Sequence, residues 1–316
     1  MTSFPLSAFR FPGKDFPTIT RIHPMTKSIT ISLAVLTLGS LCSVAIGDPA
    51  TKADTQSDKA DKATTPTSDW RPLYRGSLDD FRIYFRGQGY IDDVHKQDVF
   101  VAEPGQIHVR KGTNGLIATK APYSHYHVKV DYRWGAKGGS MNAGLMSHVD
   151  LNSKRIKDNR PRSVEINMKA DAPGSIWLAS KLGPFASSFV DKKITGRRGT
   201  KTYLPKDQGG VAHDASPFSN RTVLANYPGK KPNSNPNSNA HGEWNTLEAI
   251  VRGADSVEII HNGHTVNLIT NLRDLKKGSK EPGEPLVEGG IGLQSEGQEI
   301  FYRNFVIKEL KPPSGE

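Results

Sequence analysis

The chain has 316 residues, a formal net charge of +10, 35% hydrophobic residues, 30 glycines and 21 prolines. That length holds one large or two small domains, and so much Gly and Pro without helical periodicity points to a turn-rich β protein. The single cysteine, Cys42, excludes a disulfide framework and a four-cysteine metal site. The basic residues are spread along the chain rather than interleaved with aromatics in a patch, which argues against nucleic acid as a partner.

Residues 1–47 read as an export signal. Lys27 precedes an apolar run from Ile29 to Ile46, and the small residues Ser43 and Ala45 give a cleavage pattern before Asp48. Met25 suits the start of a short positive n-region. The run is short for a bilayer span and is broken by Ser and Thr. The expectation is therefore an exported protein, periplasmic or secreted, with no membrane span after cleavage. Cys42 would leave with the signal, so the mature chain would hold no thiol nucleophile. Residues 48–69 contain no large apolar side chain and read as a disordered linker. The folded part is expected over 70–311, with 312–316 as a tail.

Trp70, Leu73, Tyr74 and Phe81 supply the first apolar cluster. Strands are predicted over Asp98–Ala102 and Ile107–Val109 around a Pro104-Gly105 turn, then over Gly115–Thr119. Across Tyr126–Trp134, Tyr126, Val128, Val130, Tyr132 and Trp134 share one face, and His127, Lys129, Asp131 and Arg133 share the other. Further strands are predicted over Met141–His148, Arg162–Met168, Ile176–Ala179, Trp244–Arg252 and Ser256–Ile260. Asn262-Gly263 is a strong hairpin signal. Gly290–Lys308 reads as a closing hairpin around Gly297. Residues 180–240, rich in Gly, Lys, Asn, Pro and Ser, read as a long irregular insertion over one rim. Short strands repeated over this length give an all-β fold, an antiparallel two-sheet jelly-roll sandwich.

In Ser163–Met168, Val164, Ile166 and Met168 alternate with Ser163, Glu165 and Asn167. A sandwich strand of this kind turns its polar side to a groove, so Glu165 is the candidate general base or acid. An exposed strand glutamate is the plain alternative. A second catalytic carboxylate at glucanase spacing is missing, because Asn167 and Ala170 stand at those places. Arg133 is a candidate partner for Glu165 or for substrate oxygens. Asn142 and Gly144 permit close approach of a ligand. His148 is a candidate substrate contact. Trp177 and Tyr203 offer faces for a sugar ring, while Trp244 suits the core. His125 and His127 have a metal-like spacing but no matched third ligand. No phosphate loop, Rossmann fingerprint or nucleophile elbow is present.

In order, the chain carries Trp70-Arg71-Pro72-Leu73-Tyr74-Arg75-Gly76-Ser77-Leu78, Tyr132-Arg133-Trp134, Met141-Asn142-Ala143-Gly144-Leu145 and Val164-Glu165-Ile166. Gly242-Glu243-Trp244-Asn245, His261-Asn262-Gly263, Gly292-Leu293-Gln294 and Phe301–Lys308 follow. This series, spread over residues 70–310, resembles the 3-keto-disaccharide hydrolase family. The resemblance implies a concanavalin A-like lectin/glucanase sandwich. It also implies an exported hydrolase that cleaves glycosides oxidised at C3, by base-assisted elimination and hydration. The matching site positions are Arg133, Asn142, Glu165, Gln294 and Arg303. Departures are Arg75 for the opening asparagine, Ala143 for a usual serine and Glu296 for a frequent histidine. On this reading Glu165, Arg133 and Asn142 are catalytic. Asn167, His148, Trp177, Gln294, Glu296 and Arg303 bind a carbohydrate substrate. No cofactor is assigned, and assistance by a divalent metal is left open, as is the oligomeric state. A carbohydrate-binding module without catalysis and a surface interaction protein are the alternative functions, because one fold serves many activities.

Overall fold

A computed structural model describes residues 69–135, 141–154, 160–180, 183–195, 200–219, 221–227 and 242–312. The expected export signal, most of the 48–69 linker and residues 313–316 lie outside the described residues. The described chain falls in one unit, Ala63–Glu316.

The strands begin with β1 (Arg71–Pro72), β2 (Phe81–Phe85), β3 (Gly89–Ile91), β4 (Phe100–Glu103), β5 (Gln106–Val109) and β6 (Gly115–Thr119). Next come β7 (His125–Trp134), β8 (Gly144–Val149), β9 (Ser163–Asn167) and β10 (Ile176–Ala179). They are followed by β11 (Phe185–Thr195), β12 (Lys201–Tyr203), β13 (Val211–Ala215) and β14 (Thr222–Leu224). The last are β15 (Asn245–Arg252), β16 (Ser256–His261), β17 (His264–Leu275), β18 (Pro282–Pro285), β19 (Gly290–Ser295) and β20 (Ile300–Glu309). A 3₁₀ turn at Lys206–Gln208 is also present. Among the described residues no helix is long and apolar enough to cross a membrane.

Two layers form. The first sheet runs β3-β2-β6-β19-β8-β9-β10-β14. The second runs β4-β5-β20-β7-β15-β16-β17-β11-β13, with β1 beside β20 and β18 beside β17. Strand β12 pairs antiparallel with β11 and parallel with β14, so hydrogen bonding passes from one layer into the other at that side. The core fills the space between the layers. Phe81, Ile83, Ile117, Leu145, Ile166, Ile176 and Leu293 come from the first sheet, and Tyr126, Val130, Tyr132, Leu247, Ile259, Tyr302 and Ile307 from the second. Each fully buried large apolar side chain contributes about 1.5–3 kcal/mol. Asn267, wholly buried on β17, donates to the carbonyls of Gly174 and Val223 and so ties the second sheet to the first.

The alternation along β7 is as the sequence predicts. The Asn262-Gly263 hairpin forms, with φ of 47° and 81° at its two turn residues, the left-handed pair that such a turn requires. The closing hairpin does not. Strand β19 pairs with β6 and β8, whereas β20 pairs with β1, β5 and β7, so the Gly297 turn carries the chain between layers. Ile291 and Leu293 of β19 and Ile300, Tyr302, Phe305 and Ile307 of β20 meet across the core instead of lying side by side. Asn304, at φ 49°, marks a bulge in β20 that shifts the inward positions from Ile300 and Tyr302 to Phe305 and Ile307. The 180–240 segment is more regular than its composition suggests, since β11 to β14 lie within it. Its polar character fits edge strands such as β13, which is largely exposed. Residues 228–241 lie outside the described residues.

Candidate active site

The register of the first sheet sets one row of side chains on its outer face. Arg82, Ala118, Gly292, Met146, Glu165, Trp177 and Thr222 are successive cross-strand neighbours on β2, β6, β19, β8, β9, β10 and β14. The row changes character along its length. At one end Tyr84, Leu116, Ala118, Met146 and Val149 make a small apolar cluster against Tyr90 and Leu151. The segment after β8 is fastened there: Tyr90 donates to the Asp150 carbonyl at 2.9 Å, Arg82 donates to that of Leu151, and the Arg82 guanidinium lies 4.2 Å from the Tyr90 ring centroid. Asp150 N–H in turn donates to Arg162 at 2.9 Å, which fixes the chain just past Arg160.

At the other end the face opens into a cleft of about 660 Å³, lined among others by Asn142, Arg160, Glu165, Asn167, Trp177, Arg221 and Glu296. Glu165 is only 3% exposed, and its carboxylate lies against the Arg160 guanidinium, which also grips Glu296. Asn142 Nδ2 donates to Glu296 at 2.9 Å, and Gln294 Nε2 does so at 2.8 Å. The free oxygens of those two amides, Asn142 Oδ1 and Gln294 Oε1, are buried without a partner among the described residues. Asn167 Nδ2 donates to the Ser175 carbonyl at 3.0 Å. Gly144 leaves the hole that makes this crowding feasible. A Cβ there would stand 2.9 Å from Glu165 Cγ and 3.2 Å from Gln294 Oε1.

Burial pushes the Glu165 carboxyl up to about 7, with the neighbouring Glu296 charge adding to the rise and Arg160 opposing it. A carboxylate poised near neutral pH is what proton abstraction at that pH uses. Glu165, Glu296, Asn142, Asn167 and Trp177 thus meet at one cleft, with Gln294 directly behind. Trp177, at 38% exposure, offers its indole beside Glu165.

Three expected site residues lie elsewhere. Arg133 and Arg303 sit on the outer face of the second sheet, where Arg303 lies 3.9 Å and Arg133 4.8 Å from the Trp244 ring centroid. Arg133 also packs on Phe301 at 4.9 Å, and Phe301 stacks on His108 at 4.3 Å. The cause is register: Arg133, Phe301 and His108 are direct cross-strand neighbours on β7, β20 and β5. Trp244, expected in the core, is half-buried in this ladder instead. His148 is 1% exposed, meets the Gly253 carbonyl at 3.1 Å and Ser147 Oγ at 3.2 Å, and plays a packing role. Burial lowers its pKa to about 4, so it is neutral near pH 7. Tyr203 is buried and presents no platform. His127 bonds Glu248 at 2.9 Å. Among the described residues no group of three or more His, Cys, Asp or Glu is placed to hold a metal ion.

The residues missed by sequence reading are Arg160 and Arg221. Arg160 stands in Arg160-Pro161-Arg162 ahead of β9, where nothing in the sequence separates it from Arg162.

Comparison with known proteins places the chain in a family. The profile of the 3-keto-alpha-glucoside-1,2-lyase-like domain matches residues 58–308. No curated protein matches the chain. Among solved structures, a Parabacteroides distasonis ATCC 8503 protein described only provisionally as a glycosyl hydrolase aligns at 18% identity. That alignment covers 76% of this chain and 99% of that one, with a TM-score of 0.43. The laminarinase of Flavobacterium sp. UMI-01 aligns at 7% identity over 76% and 98% of the two chains, TM-score 0.40. The carbohydrate-binding module CBM66 of Bacillus subtilis aligns at 13% identity over 67% and 92%, TM-score 0.36. The chain belongs to the 3-keto-alpha-glucoside-1,2-lyase-like family.

Proposed function

We propose that this carbohydrate-active protein cleaves glycosides whose sugar carries a ketone at C3, by elimination followed by hydration. The observation that carries the reading is Glu165: one carboxylate at the floor of a sugar-sized cleft, its pKa raised to about 7 by burial, beside a guanidinium. Glu165 is both buried and charge-paired, as a purely structural carboxylate is, yet it lines the open cleft.

A C3 ketone acidifies the C2–H bond. Glu165 takes the C2 proton, and the electron pair delocalises onto the C3 oxygen as an enolate. Arg160 is the donor suited to that oxygen, because among the described residues two of its five N–H groups are used, in the contacts with Glu165 and Glu296. The enolate collapses, C1=C2 forms and the C1–O bond to the leaving group breaks. Glu165 passes that proton to the departing oxygen, which leaves as the alcohol, and the carboxylate is restored. Water then adds across C1=C2, hydroxyl to C1 and hydrogen to C2, and releases the free 3-keto sugar. One base and one oxyanion donor suffice, so this route does not call on Glu296, the second carboxylate held by Arg160, as a paired catalytic acid.

The test is turnover of a 3-keto-disaccharide in D₂O. The expected product carries deuterium at C2, and Glu165→Gln slows both cleavage and labelling by about 10³-fold while the fold is kept. Unlabelled product, or undiminished cleavage by the folded variant, removes Glu165 from this role. Export belongs to the same proposal, on the strength of the Lys27 and Ile29–Ile46 segment. N-terminal sequencing of the mature protein is expected to read from about Asp48, and a cytoplasmic protein starting upstream of it would refute this.

A further inference from the structure

The cleft is electrically lopsided. At its inner end two carboxylates, Glu165 and Glu296, share one guanidinium. Its outer end, beyond Trp177, holds the opposite charge. Arg221 lies over the Trp177 ring, 5.3 Å from the centroid, and donates to the Pro217 carbonyl. The ion pairs of the cleft use Arg160 and Lys169, and among the described residues none uses Arg221. Lys169 meets Asp171 at 2.9 Å on the exposed lip. Thr222, Trp177's cross-strand neighbour on β14, completes the outer floor. A half-buried guanidinium braced by an indole and a carbonyl, with no carboxylate paired to it among the described residues, is a cation held in place.

The row Glu165–Trp177–Thr222 gives the substrate a direction. With the reacting ring over Glu165, a leaving group laid along that row passes over Trp177 toward Arg221. We propose that the outer half of the cleft is a leaving-group subsite selecting glycosides whose departing group is anionic, with Arg221 as the residue that reads the charge. The inference rests on the elimination reading for the orientation of substrate. A planar carboxylate matches the fork of a guanidinium, and the chain beyond residue 47, with 38 Lys and Arg against 31 Asp and Glu, keeps a positive net charge that favours approach of anions from a distance.

The experiment uses 3-keto-glucosides of 4-hydroxybenzoate, 4-hydroxybenzenesulfonate and the neutral 4-hydroxybenzamide. In Arg221→Gln, KM for the two anionic substrates is expected to rise roughly tenfold while KM for the amide stays within about twofold. Comparing each substrate across the two proteins cancels intrinsic leaving-group ability. Arg221→Lys, which keeps charge and loses stacking, is expected to retain most of the preference. A larger effect on the carboxylate than on the sulfonate marks paired hydrogen bonding, and equal effects mark charge alone; both support the subsite. An equal change for all three substrates overturns it. Binding of free 4-hydroxybenzoate, followed by NMR, separates the two levels. If no 3-keto-glucoside is cleaved but this anion binds in an Arg221-dependent way, the reaction falls and the anion subsite stands. If cleavage proceeds without charge preference, the subsite alone falls.

Discussion

On the outer face of the first sheet, Glu165 shares its guanidinium with Glu296 at the floor of an open trough. On the outer face of the second, Arg133 and Arg303 lie on Trp244, and Glu103 and Glu299 each meet His108 at 3.0 Å. Both faces combine guanidinium, indole and carboxylate. They differ in depth and in what remains unsatisfied. The ladder lies along a row of strand neighbours, its aromatic faces and charges stacked on one another. The trough keeps a carboxyl out of water, two amide oxygens without partners and an indole in the open. Residue types therefore do not locate the chemistry; concavity and unmet polar groups do.

Four changes break or sharpen this contrast. Glu165→Gln is expected to lower kcat on a 3-keto-disaccharide by about 10³-fold, within the usual range for a lost base, whereas Arg133→Gln should leave kcat within roughly twofold. Equal losses from both would erase the distinction between the faces. Gly144→Ala places a methyl group against Glu165 and Gln294. Displacing the base by a fraction of an ångström is expected to cost on the order of 10- to 100-fold in kcat, with little change in secondary structure by circular dichroism.

The third change is in pH. Glu165 holds its proton up to about 7 in the folded chain but only to its ordinary 4.5 when unfolded. Its contribution to stability is therefore whole below 4.5 and is lost as pH rises through about 7. Glu165→Gln lacks that loss, so urea midpoints should show the variant gaining on the wild type between pH 4.5 and 8, by at most about 3 kcal/mol. A constant difference across that window would show that the carboxyl is not raised. Activity follows the same group, and kcat/KM should climb with pH through about 7. Smallest is Trp244→Ala, which strips the ladder of its central ring. A loss of about 1–2 kcal/mol in stability with kcat unchanged is the expected result, and a fall in kcat would join the two faces functionally.

Much of the scaffold was legible from local pattern. The alternation of β7 and the Asn262-Gly263 turn each follow from residues within a few positions of one another. The β19–β20 connection was not, because a turn signal reports a reversal and says nothing of which neighbours the two strands take. Strands β11 to β14 hid for another reason. As short or marginal strands they bury little, and their composition looks like loop. At the site, Glu165 follows from the clean alternation of β9 and Asn142 from its place beside Gly144, while the substrate-binding role of Glu296 rests on the family resemblance. Arg133 was misjudged because strand position alone gave its face without saying which sheet it belonged to. Arg160 reaches Glu165 from the chain ahead of β9, where the contacts of Tyr90 and Arg82 with Asp150 and Leu151, and of Asp150 with Arg162, are long-range and leave no local pattern in the sequence.

Strand β12 has a consequence for how the trough meets its ligand. Because that strand is stitched to β11 on one side and to β14 on the other, the lip bearing Thr222 and Leu224 is a seam between the layers rather than a flap. A seam cannot swing without tearing backbone bonds in both layers at once. Thr202, buried within it, should accordingly be among the slower amides to exchange with solvent, and a sugar arriving there meets a wall already in place.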